Sequence, residues 1–199
     1  NQMRLVYNNN IYLNDKDLDK INKTKKLCFS NKKAIFENGL KLTIDLSNDK
    51  TICAYRSKIN APLVYFSKNK YHKHKKYWEP IKPKNKSLII KKNNFYILKS
   101  KEKICIPPNL AGEMIPYDTG IGDFRVHYAG FFDPGFGYSM GSFAVLELKT
   151  HEVDFIIEDG QTIARIQYEK LNKSSSMLYG KKINSNYQNQ QLALSKHFY

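Results

Sequence analysis

Residues 123–149 read DFRVHYAGFFDPGFGYSMGSFAVLELK. A β-type run, 124–128, leads to the turn Asp133-Pro134-Gly135-Phe136-Gly137. Proline fixes φ near about −65° and glycine tolerates positive φ, so the chain must reverse tightly there. The run 142–149 then alternates, with Phe143, Val145 and Glu147 on one face and Ala144, Leu146 and Leu148 on the other. Both faces are largely apolar, which predicts a strand covered on both sides. Glu147 stands where the pattern asks for an aliphatic side chain. A carboxylate in such a place is paired, protonated or put to use, and by pattern alone a structural ion pair is the commoner outcome.

Asp159-Gly160 between 153–157 and 161–168 is a type I′ hairpin signal. Leu40, Leu42, Ile44 and Leu46 alternate with polar residues and predict a half-buried strand. Short strands are expected at 52–56, 63–66, 87–92, 95–99, 104–107 and 110–115, with Asn93-Asn94 as a two-residue hairpin turn. Residues 15–26 suit a short helix capped by Asn14 or Asp15, with Leu18 and Ile21 inward. Many short strands, Gly/Pro turns and little helical period predict an all-β sandwich or barrel with at most one or two short helices. The expected division is a connector at 1–35 that docks on something, a β domain at 36–172 and a polar tail at 173–199.

With 199 residues, one core is the prior. No apolar run is long enough to cross a bilayer as a helix, and the polar start does not read as a signal peptide. A first residue of Asn is expected for a piece of a longer chain. Three widely spaced cysteines (Cys28, Cys53, Cys105) are no disulfide framework, so a reducing, cytoplasmic setting is expected. The net charge of +15 is uneven: residues 1–105 hold 25 Lys and Arg against 8 acids, and residues 106–199 hold 8 against 10. No basic stripe or aromatic-basic motif accompanies the excess, which disfavours nucleic acid and suits an anionic small substrate or an acidic partner domain. Residues 68–86 form a lysine-rich loop anchored by Tyr71, Tyr77, Trp78 and Pro80. His72 and His74 within it have the spacing of a metal pair on a strand, but no third ligand is near and lysines surround them, so zinc is not expected.

The string VHYAGFFDPGFG, followed by AVLEL and QTIARIQYE, resembles the bacterial dCTP deaminases of the dUTPase-like superfamily, and most nearly the C-terminal half of a double-length form. Those enzymes carry a V-H strand, a D-P-G-[FW] turn and a V-L-E strand in this order. The resemblance implies a distorted, jelly-roll-like β-barrel of the dUTPase type. It implies Glu147 as general base, in a pocket lined by main chain from Val126, His127, Tyr128, Ala129 and Gly130, with Asp133 at the turn. The tail is similar to the family's nucleotide-closing segment: Tyr179, the basic pair Lys181 and Lys182, then Tyr187 and Gln190. Asn186 stands where the family has lysine, a departure at one phosphate contact for which Lys181 or Lys182 could substitute.

Hydrolytic deamination at cytosine C4 needs an activated water and a proton for the departing ammonia. Zinc deaminases use H-x-E and P-C-x-x-C ligands, and neither string occurs here. The family implied works without a catalytic metal, with Mg²⁺ carried only as the nucleotide triphosphate complex. A glutamate then moves the protons, a contribution of roughly 10²–10⁴-fold, and burial between Phe143 and Val145 is expected to raise its pKa. One departure is large. Family members carry G-R-S-S-x-x-x-R before the V-H strand, whereas residues 115–120 read IPYDTG, and Arg125 comes too late in register. The expectation is a chain supplying glutamate and tail, with a second dUTPase-like domain supplying serine and arginine. The partners implied are dCTP and dUTP, in a homotrimer or a trimer of domain pairs. The alternatives are a dUTPase-type nucleotidohydrolase and a non-catalytic domain that binds nucleotide or builds the oligomer.

Overall fold

In the computed structural model the alternating run around Glu147 is an interior strand of an antiparallel sheet. The structure describes residues 12–30, 33–116, 124–127, 130–150, 153–180, 188 and 191–199, with backbone alone at 116 and 124–127. One helix, α1 (Asp15–Thr24), comes first. The first strands are β1 (Cys28–Phe29), β2 (Leu40–Thr43), β3 (Ala54–Ser57) and β4 (Trp78–Ile81). Then come β5 (Ser87–Ile90), β6 (Phe95–Ile104), β7 (Leu110–Pro116) and β8 (Phe124–His127). The last four are β9 (Phe131–Phe132), β10 (Ser142–Thr150), β11 (Phe155–Glu158) and β12 (Thr162–Lys170). One sheet runs β4-β3-β6-β10-β8, with β1 also paired to β6; a second runs β2-β12-β7-β9; β5 and β11 form a separate pair. The predicted all-β architecture with one short α-helix is what the chain forms.

The inner face of β10 supplies Ala144, Leu146 and Leu148, each at most 1% exposed, to a core shared with Leu40, Leu42 and Ile44. Complete burial of a leucine is worth about 1.5–3 kcal/mol as an upper bound, so this face sets the strand's register. A bulge between Phe143 and Val145 would strand the Ala144 amide. Ser100, itself fully buried, accepts that N–H at 3.0 Å and donates to the Glu102 carbonyl at 2.6 Å. This satisfies an otherwise costly buried group.

The N-terminal segment docks on this same domain. Asn14 caps α1 by accepting from the Asp17 N–H at 3.0 Å, and Leu18 and Leu27 are fully buried in the common core. Asp15 reaches back to accept from the Asn38 and Gly39 amides. Fully buried Tyr168 donates to the carbonyls of Leu27 and Cys105 (3.3 and 3.2 Å), tying β1 and the end of β6 to β12.

Two predicted hairpins are turns without hairpins. Asn93 takes positive φ (60°) as expected, but β5 pairs with β11 and β6 pairs with β1, β3 and β10. At Asp159-Gly160, Gly160 has φ 81° and the Gln161 N–H meets the Glu158 carbonyl, yet β11 and β12 enter different sheets. There the Asp159 carboxylate accepts from the Leu46 N–H at 2.9 Å and pairs with Lys101, which pulls the turn toward the end of β2. No strand forms at 63–66, and β4 lies in the loop expected at 68–86.

Candidate active site

The outer face of β10 differs from the expectation of full cover. Phe143, Val145 and Glu147 are half-buried. Lysine side chains lie over part of this face, with Lys99 Nζ 4.3 Å and Lys103 Nζ 5.1 Å from the Phe143 ring centroid. Further along, the face opens into a cavity of about 330 Å³ lined by Ile97, Val145 and Glu147. That size lies at the small end of ligand pockets, roughly 300–1,000 Å³. Glu147, half-buried and lining this cavity, is thus neither sealed in the core nor fully solvated; in the sheet it is in register with Ile97 on one side and His127 on the other.

The D-P-G-F-G turn builds the opposite rim. The Phe136 N–H donates to the Asp133 carbonyl at 3.0 Å, and Gly135 at the third position has φ 100°, the conformation the sequence required. Phe136 is buried between Phe132 (centroids 4.9 Å) and Tyr179 (5.7 Å). The Tyr179 N–H donates to the Pro134 carbonyl at 2.9 Å. A Cβ on Gly135 would sit 2.9 Å from the Tyr179 nitrogen and 3.0 Å from its oxygen, so the turn and the tyrosine segment approach closely because residue 135 is glycine.

Of the residues proposed from sequence, Glu147, Gly130, Asp133 and Tyr179 line this one cavity. The backbone of Val126 and His127 lies in β8 beside β10, His127 in register with Glu147 and Val126 with Leu148. Tyr128, Ala129, Lys181, Lys182, Asn186, Tyr187 and Gln190 lie outside the described residues. Two contributions were not foreseen. Gln188 clasps the turn with both ends of its amide: Oε1 accepts from the Gly137 N–H at 3.1 Å and Nε2 donates to the Gly135 carbonyl at 3.3 Å. Its only sequence signal is its place between Tyr187 and Gln190 in the string YQNQQ at 187–191. Residues 193–195 supply a further wall of the cavity, and their small and apolar side chains gave no signal.

Other chemistries find little footing. Burial, with a smaller contribution from Glu102, pushes the Cys28 thiol up to about 12, and burial brings Cys53 and Cys105 to about 11. None of the three is therefore a thiolate nucleophile near neutral pH. Among the described residues no group of three His, Cys, Asp or Glu is arranged to hold a metal. His72 is instead engaged by Tyr77 and Tyr65. No helix of the described residues is long and apolar enough to cross a membrane.

Comparison with known proteins places this geometry. The C-terminal domain model of 2′-deoxycytidine 5′-triphosphate deaminase matches residues 14–198. The 2′-deoxycytidine 5′-triphosphate deaminase of Agrobacterium tumefaciens superposes with a TM-score of 0.78 at 39% sequence identity, over 87% of this chain. The chain spans about half (52%) of that protein's length. No curated protein matches the sequence. With a dUTPase-like β-fold, a glutamate facing the cavity beside a D-P-G-F-G turn, and a match over nearly its whole length, the chain belongs to the dCTP deaminase family and corresponds to its C-terminal domain.

Proposed function

We propose that this chain takes part in the hydrolytic deamination of dCTP to dUTP and ammonia, with Glu147 as the general base. The observation that carries the reading is convergence: Gly130 and Asp133 from around the turn, Glu147 from β10 and Tyr179 from beyond β12 line one cavity. In the reaction Glu147 takes a proton from water as the oxygen attacks C4 of the cytosine ring. The proton then passes to the exocyclic amino group, the C4–N bond breaks, and ammonia leaves. Such transfer contributes roughly 10²–10⁴-fold. A half-buried site suits it, since the carboxylate must meet a water and still be shielded from bulk solvent. The backbone of residues 126–130, Asp133 and the tail from Tyr179 hold the nucleotide, whose triphosphate brings Mg²⁺ with it; Lys181, Lys182, Asn186, Tyr187 and Gln190 contact it from the tail.

The serine and arginine of the family motif have no counterpart at 115–120. A second dUTPase-like domain supplies them, in a trimer of domain pairs, and the 199-residue chain alone does not turn over dCTP. The half-length correspondence with the Agrobacterium enzyme supports this division. The test is Glu147→Gln in the assembly with its partner domain, with ammonia and pyrophosphate assayed separately. The expected result is loss of ammonia release with fold and dCTP binding retained. Turnover within a few-fold of the parent rules Glu147 out as the base, and pyrophosphate without ammonia points to nucleotidohydrolase chemistry instead.

A further inference from the structure

The lysine-rich loop has no part in the chemistry above, yet it is built around one buried histidine. His72 is 4% exposed, and its Nε2 accepts the Tyr65 backbone N–H at 3.0 Å. An accepting Nε2 leaves the proton of the neutral ring on Nδ1, which lies 2.9 Å from the Tyr77 hydroxyl; that hydroxyl in turn donates to the Leu63 carbonyl at 3.2 Å. The chain of bonds fixes one tautomer and pins three segments of the loop. Against this frame lies the end of the described chain. Lys70 donates to the Lys196 carbonyl, Tyr71 and His72 donate to His197, and His74 donates to Tyr199, all between 2.9 and 3.1 Å. The Tyr199 N–H returns a bond to the His72 carbonyl. Phe198 enters a cage of His72, Tyr77 and Trp78, with ring centroids 6.1, 5.2 and 5.9 Å away.

The docked segment and the cavity are joined by a single turn. The Phe198 N–H donates to the Ser195 carbonyl at 3.1 Å, and residues 193–195 form the cavity wall facing Glu147. A wall of three residues with half-exposed side chains has little burial of its own to hold it. Its position is set by the anchor one turn further on.

We propose that the loop 65–78 is a dock for residues 196–199, that His72 is its positioning residue, and that docking holds 193–195 as a wall of the Glu147 cavity. This deepens the nucleotide reading by assigning the lysine-rich loop to the same site. The lysines are the soluble exterior of the dock: Lys68 lies over the Tyr71 ring at 4.2 Å and the Tyr65 ring at 5.5 Å, so its stem covers aromatic surface while its charge stays wet.

The chain's only tryptophan, Trp78, touches Phe198 edge-on and reports the dock directly. The experiment compares the parent with Phe198→Ala, His72→Phe and His72→Gln, following Trp78 emission and hydrogen exchange at 193–199. The glutamine side chain offers one acceptor and one donor, as the neutral imidazole does, and restores the link; phenylalanine keeps a ring but offers neither. The expected result is a red shift of Trp78 and exchange at 193–195 faster by about tenfold or more in Phe198→Ala and His72→Phe, with β6 and β10 amides unchanged and His72→Gln near the parent. In the assembly with its partner domain, dCTP should leave the two undocked variants several-fold faster, with chemistry per bound nucleotide unaltered. Parental exchange at 193–195 in Phe198→Ala overturns the proposal, as does equal behaviour of His72→Phe and His72→Gln. The exchange and emission readouts need no nucleotide, so they stand even where dCTP proves not to be the ligand, whereas tight dCTP binding to an undocked chain overturns the positioning role alone.

Discussion

Replacing Gly137 with alanine tests how closely the D-P-G-F-G turn is fitted between two strands. Gly137 has φ 62°, and a Cβ there would lie 2.0 Å from the Ile104 carbonyl oxygen and 2.8 Å from the Ser142 nitrogen. Left-handed backbone costs an L-residue roughly 1–2 kcal/mol, partly offset by about 0.4–1 kcal/mol from a stiffer unfolded chain. The contact is with backbone at the end of β6 and the start of β10, so neither neighbour can swing aside as a side chain would. Relief requires a shift of both strand ends, costing about 1–3 kcal/mol by analogy with overpacked cores. The total of about 2–4 kcal/mol predicts a fall in Tm of roughly 5–15 °C for a chain of this length. Gly160→Ala is the internal comparison. It carries a similar φ of 81°, but the nearest atom to its Cβ is the Lys101 Nζ at 4.0 Å, so only the conformational cost remains. Its Tm should fall by roughly 2–4 °C. Thermal melts followed by circular dichroism give both numbers. Should Gly137→Ala melt no lower than Gly160→Ala, the close approach to Ile104 has no energetic weight and the reasoning fails. Because the Gly137 N–H also holds Gln188, the same variant should loosen the clasp between turn and tail.

The three cysteines should resist a disulfide exchange reagent at pH 7.5 in the native protein and react together once it is denatured, since burial has pushed all three thiols up; prompt native reaction of any one contradicts its burial. Burial alone would raise the Asp45 carboxyl, but hydrogen bonds from Lys99 (2.5 Å) and Ser47 outweigh it and hold it below the usual range. A carboxyl lowered on folding means that the unfolded chain binds more protons, so its contribution is complete above about pH 4 and fades as pH falls through the folded value. Asp45→Asn should therefore shift the urea midpoint near neutral pH and converge with the parent as the pH falls below the ordinary carboxylate range; curves parallel across the whole acid limb would remove Asp45 from it. Glu147→Gln should leave the melting temperature of the domain near the parent's, because the outer face of β10 is only half-buried.

What the sequence made legible was whatever depends on local alternation and turn chemistry. The alternation of β2 and β10, the reversal at Pro134-Gly135 and the Asn14 cap are each decided within a few residues and form as expected, although the outer face of β10 is only half covered. Partner choice is not local. Asn93 and Gly160 give true turn conformations, but nothing within the turn states that the two flanking strands belong to different sheets. Strand β4 was hidden by Pro80, which a sheet tolerates here because β4 is an edge. At the site, the motif residues were readable through their family resemblance. Gln188 and the 193–195 wall were not, since they act through a side-chain amide on backbone and through simple proximity.

The order of strands in the second sheet bears on how the chain comes to be folded at all. Among the described residues, the only ladder partner of β2 is β12, with Leu42 opposite Ala164. During synthesis β2 emerges with its inward leucines uncovered, and its partner follows roughly 120 residues later, a delay on the order of 6–24 s at translation rates of about 5–20 residues per second. Over that interval an apolar strand with a free edge is exposed to any neighbouring chain, and its closure must then wait on a long-range encounter, which is slow by topology. The earliest strand of the sheet is therefore the last to be sheltered, and yield on expression should depend on temperature and on chaperone supply more than the stability of the finished domain would suggest.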